Sequence, residues 1–357
     1  MTTNGIRIPV AKWLPTPLLS DGFGSAFGTS DGLGHAEGVA GGIGAGGGGV
    51  TLSNAGGTWS VSGGKAVNTP SVGAEVLTNG DFSSWTGDNP DGWTLSAAED
   101  AGQYVTEVSG AFRFFNDTAK SLVVYQAALT VGTWYRMTVD AVAVATGSAH
   151  LRDATNGLTL PVSTTGAKLA TGRAASAIVW IYRLSGPADF TIDNFSIKAF
   201  TLSELLTLSN LSCADVYAGV AITKSNIYVQ AGLALNWDSD SSPANGLIVY
   251  LSGGNIVVDK CVAGTWTNVS TTAYTYSAGA RLVCTMNAGA LWVYYNDALI
   301  TTATIVDAGI LTGTYHGLFS TDASNTLDDL TIYATGTGGE HSQLDSHSGA
   351  LNYGNVH

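Results

Sequence analysis

The sequence predicts an all-β protein: two antiparallel β-sandwich domains, one inserted in the other, with an extended N-terminal arm. Three observations carry that expectation. Charged residues are 11% of the chain, against about 25% in ordinary soluble proteins. Their place is taken by 46 glycines and by Ser, Thr, β-branched and aromatic residues, which is the composition of strands and turns. Apolar alternation recurs about every ten residues with Gly, Asn and Asp between the runs, the spacing of sandwich strands. Finally, one strand design occurs twice. Phe190-Thr191-Ile192-Asp193-Asn194-Phe195-Ser196-Ile197 and Leu327-Asp328-Asp329-Leu330-Thr331-Ile332-Tyr333 each break their alternation at a polar pair, the mark of a bulge.

At 357 residues the chain is long enough for two sizeable cores. Residues 1–20 carry Ile6, Ile8, Val10, Trp13, Leu14, Leu18 and Leu19 between Pro9, Pro15 and Pro17. Three prolines forbid a helix and favour an extended arm. That apolar surface must be covered, by the arm's own sandwich or by another subunit. Residues 21–75 hold a Gly-rich run over 38–49 and a hairpin, 57–61 with 65–68, joined through Ser62-Gly63-Gly64.

Over 76–200, strands are expected at 104–108, 111–115, 122–129, 134–144, 175–184 and 190–199. Over 201–336 they are expected at 217–222, 228–237, 246–251, 256–261, 265–269, 281–286, 291–295, 298–305, 315–320 and 327–334. Asn296-Asp297 is a two-residue turn of the right length for a hairpin. Residues 337–357 are a polar tail.

Several function classes are disfavoured by the residues themselves. The net charge of −13 leaves no basic patch for phosphates, so no nucleic acid partner is expected. No apolar run approaches about 20 residues, so no membrane span is expected. The start, Met1 to Pro9, has no basic segment followed by an apolar one, so no signal peptide is expected. Cys213, Cys261 and Cys284 show no metal-ligand spacing, and an odd count argues against a disulfide framework. Gly28-Thr29-Ser30-Asp31-Gly32 fits a nucleophile elbow by letter, and Gly42-Ile43-Gly44-Ala45-Gly46-Gly47 fits a dinucleotide fingerprint. Neither is followed by a helical run, which both mechanisms need. Asp238-Ser239-Asp240 begins like an EF-hand loop, but Pro243 stands where the required Gly should be. The expectation is a non-enzyme.

Residues 76–200 resemble a carbohydrate-binding module of the jelly-roll type. The matching residues are Thr78-Asn79-Gly80-Asp81-Phe82, Pro90-Asp91-Gly92-Trp93, Tyr125-Gln126, Val131-Gly132-Thr133-Trp134-Tyr135-Arg136 and the closing Ile192-Asp193-Asn194-Phe195-Ser196-Ile197. Residues 21–75 and 202–336 resemble a laminin-G/concanavalin-like sandwich. There the matches are Asp21-Gly22-Phe23, 57–70, Ala231-Gly232-Leu233-Ala234, 259–265, Gly317-Leu318-Phe319-Ser320 and 327–333. The jelly roll is then an insertion after the hairpin near Thr69-Pro70, which a sandwich tolerates at a surface loop.

The resemblance implies a bacteriophage-type virion protein at the particle surface: a capsid decoration, fibre or tail component, made in the host cytoplasm. Its partners would be other virion proteins and copies of itself. The alternative is an adhesin or accessory module recognising a host or environmental polysaccharide; a polysaccharide-cleaving enzyme is a third reading. For glycans, the candidate residues are the aromatics Trp85, Trp134, Trp180 and Tyr182 with Arg113 and Arg136 as donors, because sugars stack on exposed aromatic faces. Trp134 and Arg136 share one strand face, expected to point outward. The resemblance also implies a structural calcium at Asp81 and Asp193, although Ser83 stands where a further Glu ligand is common. The bland reading is that Asp193 and Asn194 satisfy backbone donors at the bulge.

Overall fold

The computed structural model describes residues 19–21, 52–54, 57–117, 119–184 and 186–335. Residues 1–18, the Gly-rich run, both glycine-motif matches and the tail at 337–357 lie outside the described residues. The regular structure of the described chain is almost entirely antiparallel strand, arranged as four large sheets in two sandwiches.

In the first sandwich, one five-stranded sheet runs in the order Gly166–Arg173, Trp134–Thr146, Ala188–Phe200, Ala111–Asn116, Gln103–Val108. It packs on a second, ordered Thr159–Val162, Ala149–Asp153, Ile178–Arg183, Val123–Ala127, Thr94–Leu95. Between them lies a core rich in aromatic and aliphatic side chains, with Phe82, Phe112, Phe114, Phe190 and Phe195 at or near zero exposure. The opening segment is stitched to this body by amides. Gln126 accepts from the Thr78 N–H (2.8 Å) and donates to the carbonyls of Thr78 and Gly92. Asn79 donates to the carbonyls of Ser84 and Asp91.

The second sandwich pairs an eight-stranded sheet, which includes Val216–Lys224, Asn325–Ala334 and the hairpin Thr58–Ser62/Lys65–Thr69, with a seven-stranded sheet centred on Leu206–Asn210, Tyr315–Ser320, Ala231–Trp237 and Gly246–Ser252. Gly63 and Gly64 (φ 57° and 72°) make the hairpin turn, and Asn296 and Asp297 (φ 49° and 64°) make another. Both are two-residue turns with left-handed backbone at each position, matched to strand twist. The short strand Leu19–Asp21 pairs with the end strand, Leu19 opposite Ile332, so this end of the expected arm lies on the second sandwich.

The duplicated strand design is a duplicated bulge. The pairing of Trp134–Thr146 with Ala188–Phe200 slips between Thr138 and Asp140, opposite Asn194 at φ 50°. That of Val216–Lys224 with Asn325–Ala334 slips between Gly219 and Ala221, opposite Asp329 at φ 51°. In each, the left-handed residue's N–H, which has no ladder partner, is taken by the preceding aspartate: Asn194 to Asp193 at 2.7 Å, Asp329 to Asp328 at 2.9 Å. Asn and Asp tolerate this backbone better than other side chains.

The sandwiches are stacked face to face. Alternate residues of the seven-stranded sheet enter opposite cores: Leu233, Leu235 and Val249 the second sandwich's own, and Ala234, Ile248, Tyr250 and Phe319 a third cluster shared with Trp134 and Phe200 of the first. Strands covered on both faces lose their alternation, and Ala231–Trp237 is buried at every position. The sheet containing Ile178–Arg183 is therefore the outermost layer of the first sandwich. Three of the strands at this end, Ala149–Asp153, Thr159–Val162 and Gly166–Arg173, fall where no strand is expected from the sequence.

Candidate functional site

The outer face of that sheet is built by strand alternation. In Ile178–Arg183, Val179 and Ile181 are fully buried while Trp180 and Tyr182 point away from the core. Register then sets their neighbours. Directly opposed residues share a face, so one row across the sheet reads Thr159, Arg152, Trp180, Tyr125, Thr94 and the next reads Pro161, His150, Tyr182, Val123. Pro161 is accommodated because its strand is at the sheet edge.

The two rows form a ring-and-cation array. The Trp180 and Tyr182 rings meet edge-on at 6.0 Å, and the Arg152 guanidinium lies 4.9 Å and 5.0 Å from their centroids. That geometry is the cation–π contact expected of an Arg over electron-rich rings. Arg152 also donates to the Asn156 side-chain oxygen. His150 Nδ1 is 2.8 Å from the Tyr182 hydroxyl and its Nε2 is 2.5 Å from the Thr159 hydroxyl. Burial, and then the Arg152 charge, push His150 down to about 4. It is a neutral imidazole at physiological pH, with one nitrogen donating and one accepting, so it fixes the two hydroxyls without adding charge. The array thus offers aromatic surface, one permanent cation and a rim of hydroxyls.

The other expected residues are placed elsewhere. The Trp134/Arg136 face does turn away from its own core, where Tyr135 and Met137 are buried, but the second sandwich covers it. Trp134 is 2% exposed and packed by Tyr250, Trp266 and Phe319 at 5.2–6.2 Å, so no sugar stacks on it. This corrects the expectation that it is a binding aromatic. Arg136 faces Asp322 of the second sandwich at 3.6 Å. Arg113 forms a two-pronged pair with Asp189 (2.9 and 2.7 Å) on the other sheet of the first sandwich. Trp85 donates to the Phe82 carbonyl at 2.6 Å and stacks on Phe112, a packing role at the core margin.

The calcium expectation meets a donor set already engaged. Asp81 accepts from the Ser83 N–H and hydroxyl, and Asp193 accepts from the Asn194 N–H. Glu75, beside the closing strand, accepts from the N–H groups of Val76, Leu77 and Ile197. Among the described residues no three or more His, Cys, Asp or Glu side chains gather as a metal group. Calcium takes six to eight oxygens, so these residues do not fit it. All three cysteines are free thiols, and burial raises Cys261 to about 11 and Cys284 further.

Reading the sequence singled out Trp180 and Tyr182 but not Arg152, His150 or Tyr125 as their partners. The signal present was the alternation His150-Leu151-Arg152, which puts two polar side chains on one face of a strand.

No protein-family profile matches the chain, and no curated protein does. Solved structures similar to part of it include the carbohydrate-binding module CBM66 from Bacillus subtilis, at 16% identity over 36% of this chain and 81% of that one, TM-score 0.31. Sheep galectin-11 in complex with glycerol aligns at 8% identity over 33% of this chain and 90% of that one, TM-score 0.29. Galectin LEC-6 of Caenorhabditis elegans aligns at 10% identity over 34% and 84%, TM-score 0.27.

Proposed function

We propose that the chain is a non-catalytic glycan-binding protein whose recognition surface is the Trp180/Tyr182/Tyr125 face with Arg152 and His150. One observation carries the reading: three aromatic side chains and an arginine are set side by side on the outward face of the outermost sheet. The C–H face of a pyranose packs on such rings, while its hydroxyls take hydrogen bonds from Arg152 and meet the Thr159 and Tyr182 hydroxyls, one of which has given its proton to His150 and can only accept. Trp180→Ala is expected to weaken binding to a glycan that scores on an array of surface polysaccharides. Losing about 1.5–3 kcal/mol of aromatic burial corresponds to roughly ten- to a hundredfold in Kd. Arg152→Ala should weaken it too, while Arg113→Ala should not. A folded protein that captures nothing on such an array would sink the reading.

We further propose that this module is the surface part of a bacteriophage-type particle, with residues 76–200 as an insertion in the second sandwich. The support is in the sequence: the apolar, proline-punctuated residues 1–20 and the tandem sandwiches. With residues 1–18 removed, the melting temperature should stay within a degree or two while self-association, read by light scattering, is lost. A monomeric full-length chain whose melting point falls on truncation would overturn this placement.

A further inference from the structure

A cleft opens where the two sandwiches meet, on the far side of Asn156 from the aromatic face, with a volume of about 270 Å³. We propose that it is a second binding site, for a single neutral sugar unit, independent of the outer-face reading. Its volume is just below the range of about 300–1,000 Å³ usual for ligand pockets, which limits an occupant to a single small ring at most.

Its chemistry points to a polyol. Four carboxamides line it: Asn156 from the first sandwich and Gln230, Asn255 and Asn268 from the second. Gln230 and Asn268 already bond within the protein through both nitrogen and oxygen, and the Asn156 oxygen accepts from Arg152, which leaves the Asn255 amide to donate and accept at once, as a sugar hydroxyl does. The two charged groups at the cleft cancel, because Arg173 pairs with Asp259 at 2.9 Å. A phosphate, a carboxylate or a metal cation would find no unanswered charge there.

Two donors in the lining have no acceptor. The Trp134 indole N–H and the Arg173 Nε–H are buried and bond to no described residue, and Trp134 is 98% enclosed. A buried donor without an acceptor is destabilising, and a hydroxyl oxygen placed in the cleft would answer it. The packing on one side is backbone on backbone. A Cβ at Gly172 would come within 2.6 Å of the Gly157 carbonyl oxygen, and one at Gly157 within 2.3 Å of the Arg173 carbonyl oxygen. Both glycines thus let two segments of the first sandwich pack backbone to backbone at the cleft's edge.

The indole N–H signals of the nine tryptophans provide the test. In ¹H–¹⁵N spectra of the full chain, Trp134→Phe and Trp180→Phe identify the cleft and outer-face signals. Glucose, galactose, mannose and N-acetylglucosamine are then titrated to about 50 mM, which covers the millimolar Kd of a weak site. The expected result is a saturable shift of the Trp134 signal with at least one sugar. It should weaken at least tenfold in Asn255→Ala and remain unchanged in Trp180→Ala. A Trp134 signal unmoved by all four sugars, or moved equally in Asn255→Ala, overturns the cleft site; waters alone then occupy it. Because Trp180 reports separately, loss of the outer-face reading leaves a different pattern: Trp134 responds and Trp180 does not.

Discussion

Replacing Asp259 by Ala should destabilise the protein by about 3–5 kcal/mol, the cost of leaving a buried charge without its partner. Asp259 is 1% exposed. Its carboxylate accepts from the Arg173 guanidinium (2.9 Å), the Tyr250 hydroxyl (2.8 Å) and the Asn268 amide (2.9 Å). Arg173 belongs to the first sandwich and the others to the second, so the network also fastens the two together. Without the carboxylate, a guanidinium only 19% exposed, a buried phenol and an amide all lose their acceptor. Asp259→Asn keeps the shape and one acceptor and should cost less. The double change Asp259→Leu with Arg173→Met removes the charges together, so it should cost less than Asp259→Ala alone. Chemical denaturation followed by far-ultraviolet circular dichroism gives the comparison. An Asp259→Ala protein within about 1 kcal/mol of the native one would mean that the pair is solvated and contributes as little as a surface salt bridge.

Much of the fold is legible in the chain because its signals are local. A Gly-Gly or Asn-Asp pair between alternating runs needs no tertiary context to make a two-residue turn. The polar pairs at Asp193-Asn194 and Asp328-Asp329 mark bulges because each supplies a residue tolerant of left-handed backbone and a carboxylate for the stranded N–H. The three strands between 149 and 173 are not legible for equally physical reasons. Thr159–Val162 contains a proline that only an edge position excuses. Gly166–Arg173 has five small residues among eight and little apolar alternation, and the second sandwich lies against it, Thr171 bonding to Gln230 and Thr321. Ala149–Asp153 has only one large apolar side chain, Leu151, among five.

The site follows the same division. Trp180 and Tyr182 stand out as aromatics alternating with Val179 and Ile181, which any strand reading exposes. Arg152 and His150 reach them through register across a strand that the sequence hides. Trp134 has the same local credentials as Trp180: an aromatic on the outward face of a strand. What separates them is which face the second sandwich covers. A trace of that cover is in the sequence, since Ala231–Trp237 and Gly246–Ser252 are apolar or small at nearly every position, and a strand of that kind needs a partner on both faces.

Acid should weaken the fold as pH falls below about 6.5. His316 is fully buried in the seven-stranded sheet. Its Nδ1 accepts from the Asn236 N–H at 3.2 Å, at a bulge where Asn236 sits at φ 55°, and its Nε2 faces the Cys213 carbonyl at 2.8 Å. The neutral tautomer protonated at Nε2 satisfies both contacts. A second proton on Nδ1 would point at a backbone N–H in a dry interior, and burial accordingly pushes His316 down to about 4. The unfolded chain, with an ordinary histidine near 6.5, takes up this proton first. Stability from the neutral ring is therefore fully present above about pH 6.5 and is lost as pH falls toward about 4. Between pH 7 and pH 4.5 the loss amounts to about 2.5 kcal/mol for a group buried this completely. His150 is depressed for the same main reason and adds in the same direction, more weakly because it is partly solvated. Glu99, raised by burial, acts against both. His316→Gln removes the titration while keeping a donor for the Cys213 carbonyl. That variant should start less stable at pH 7, yet lose clearly less than the native chain on going to pH 4.5. Parallel melting curves for the two proteins across this range would refute the assignment to His316.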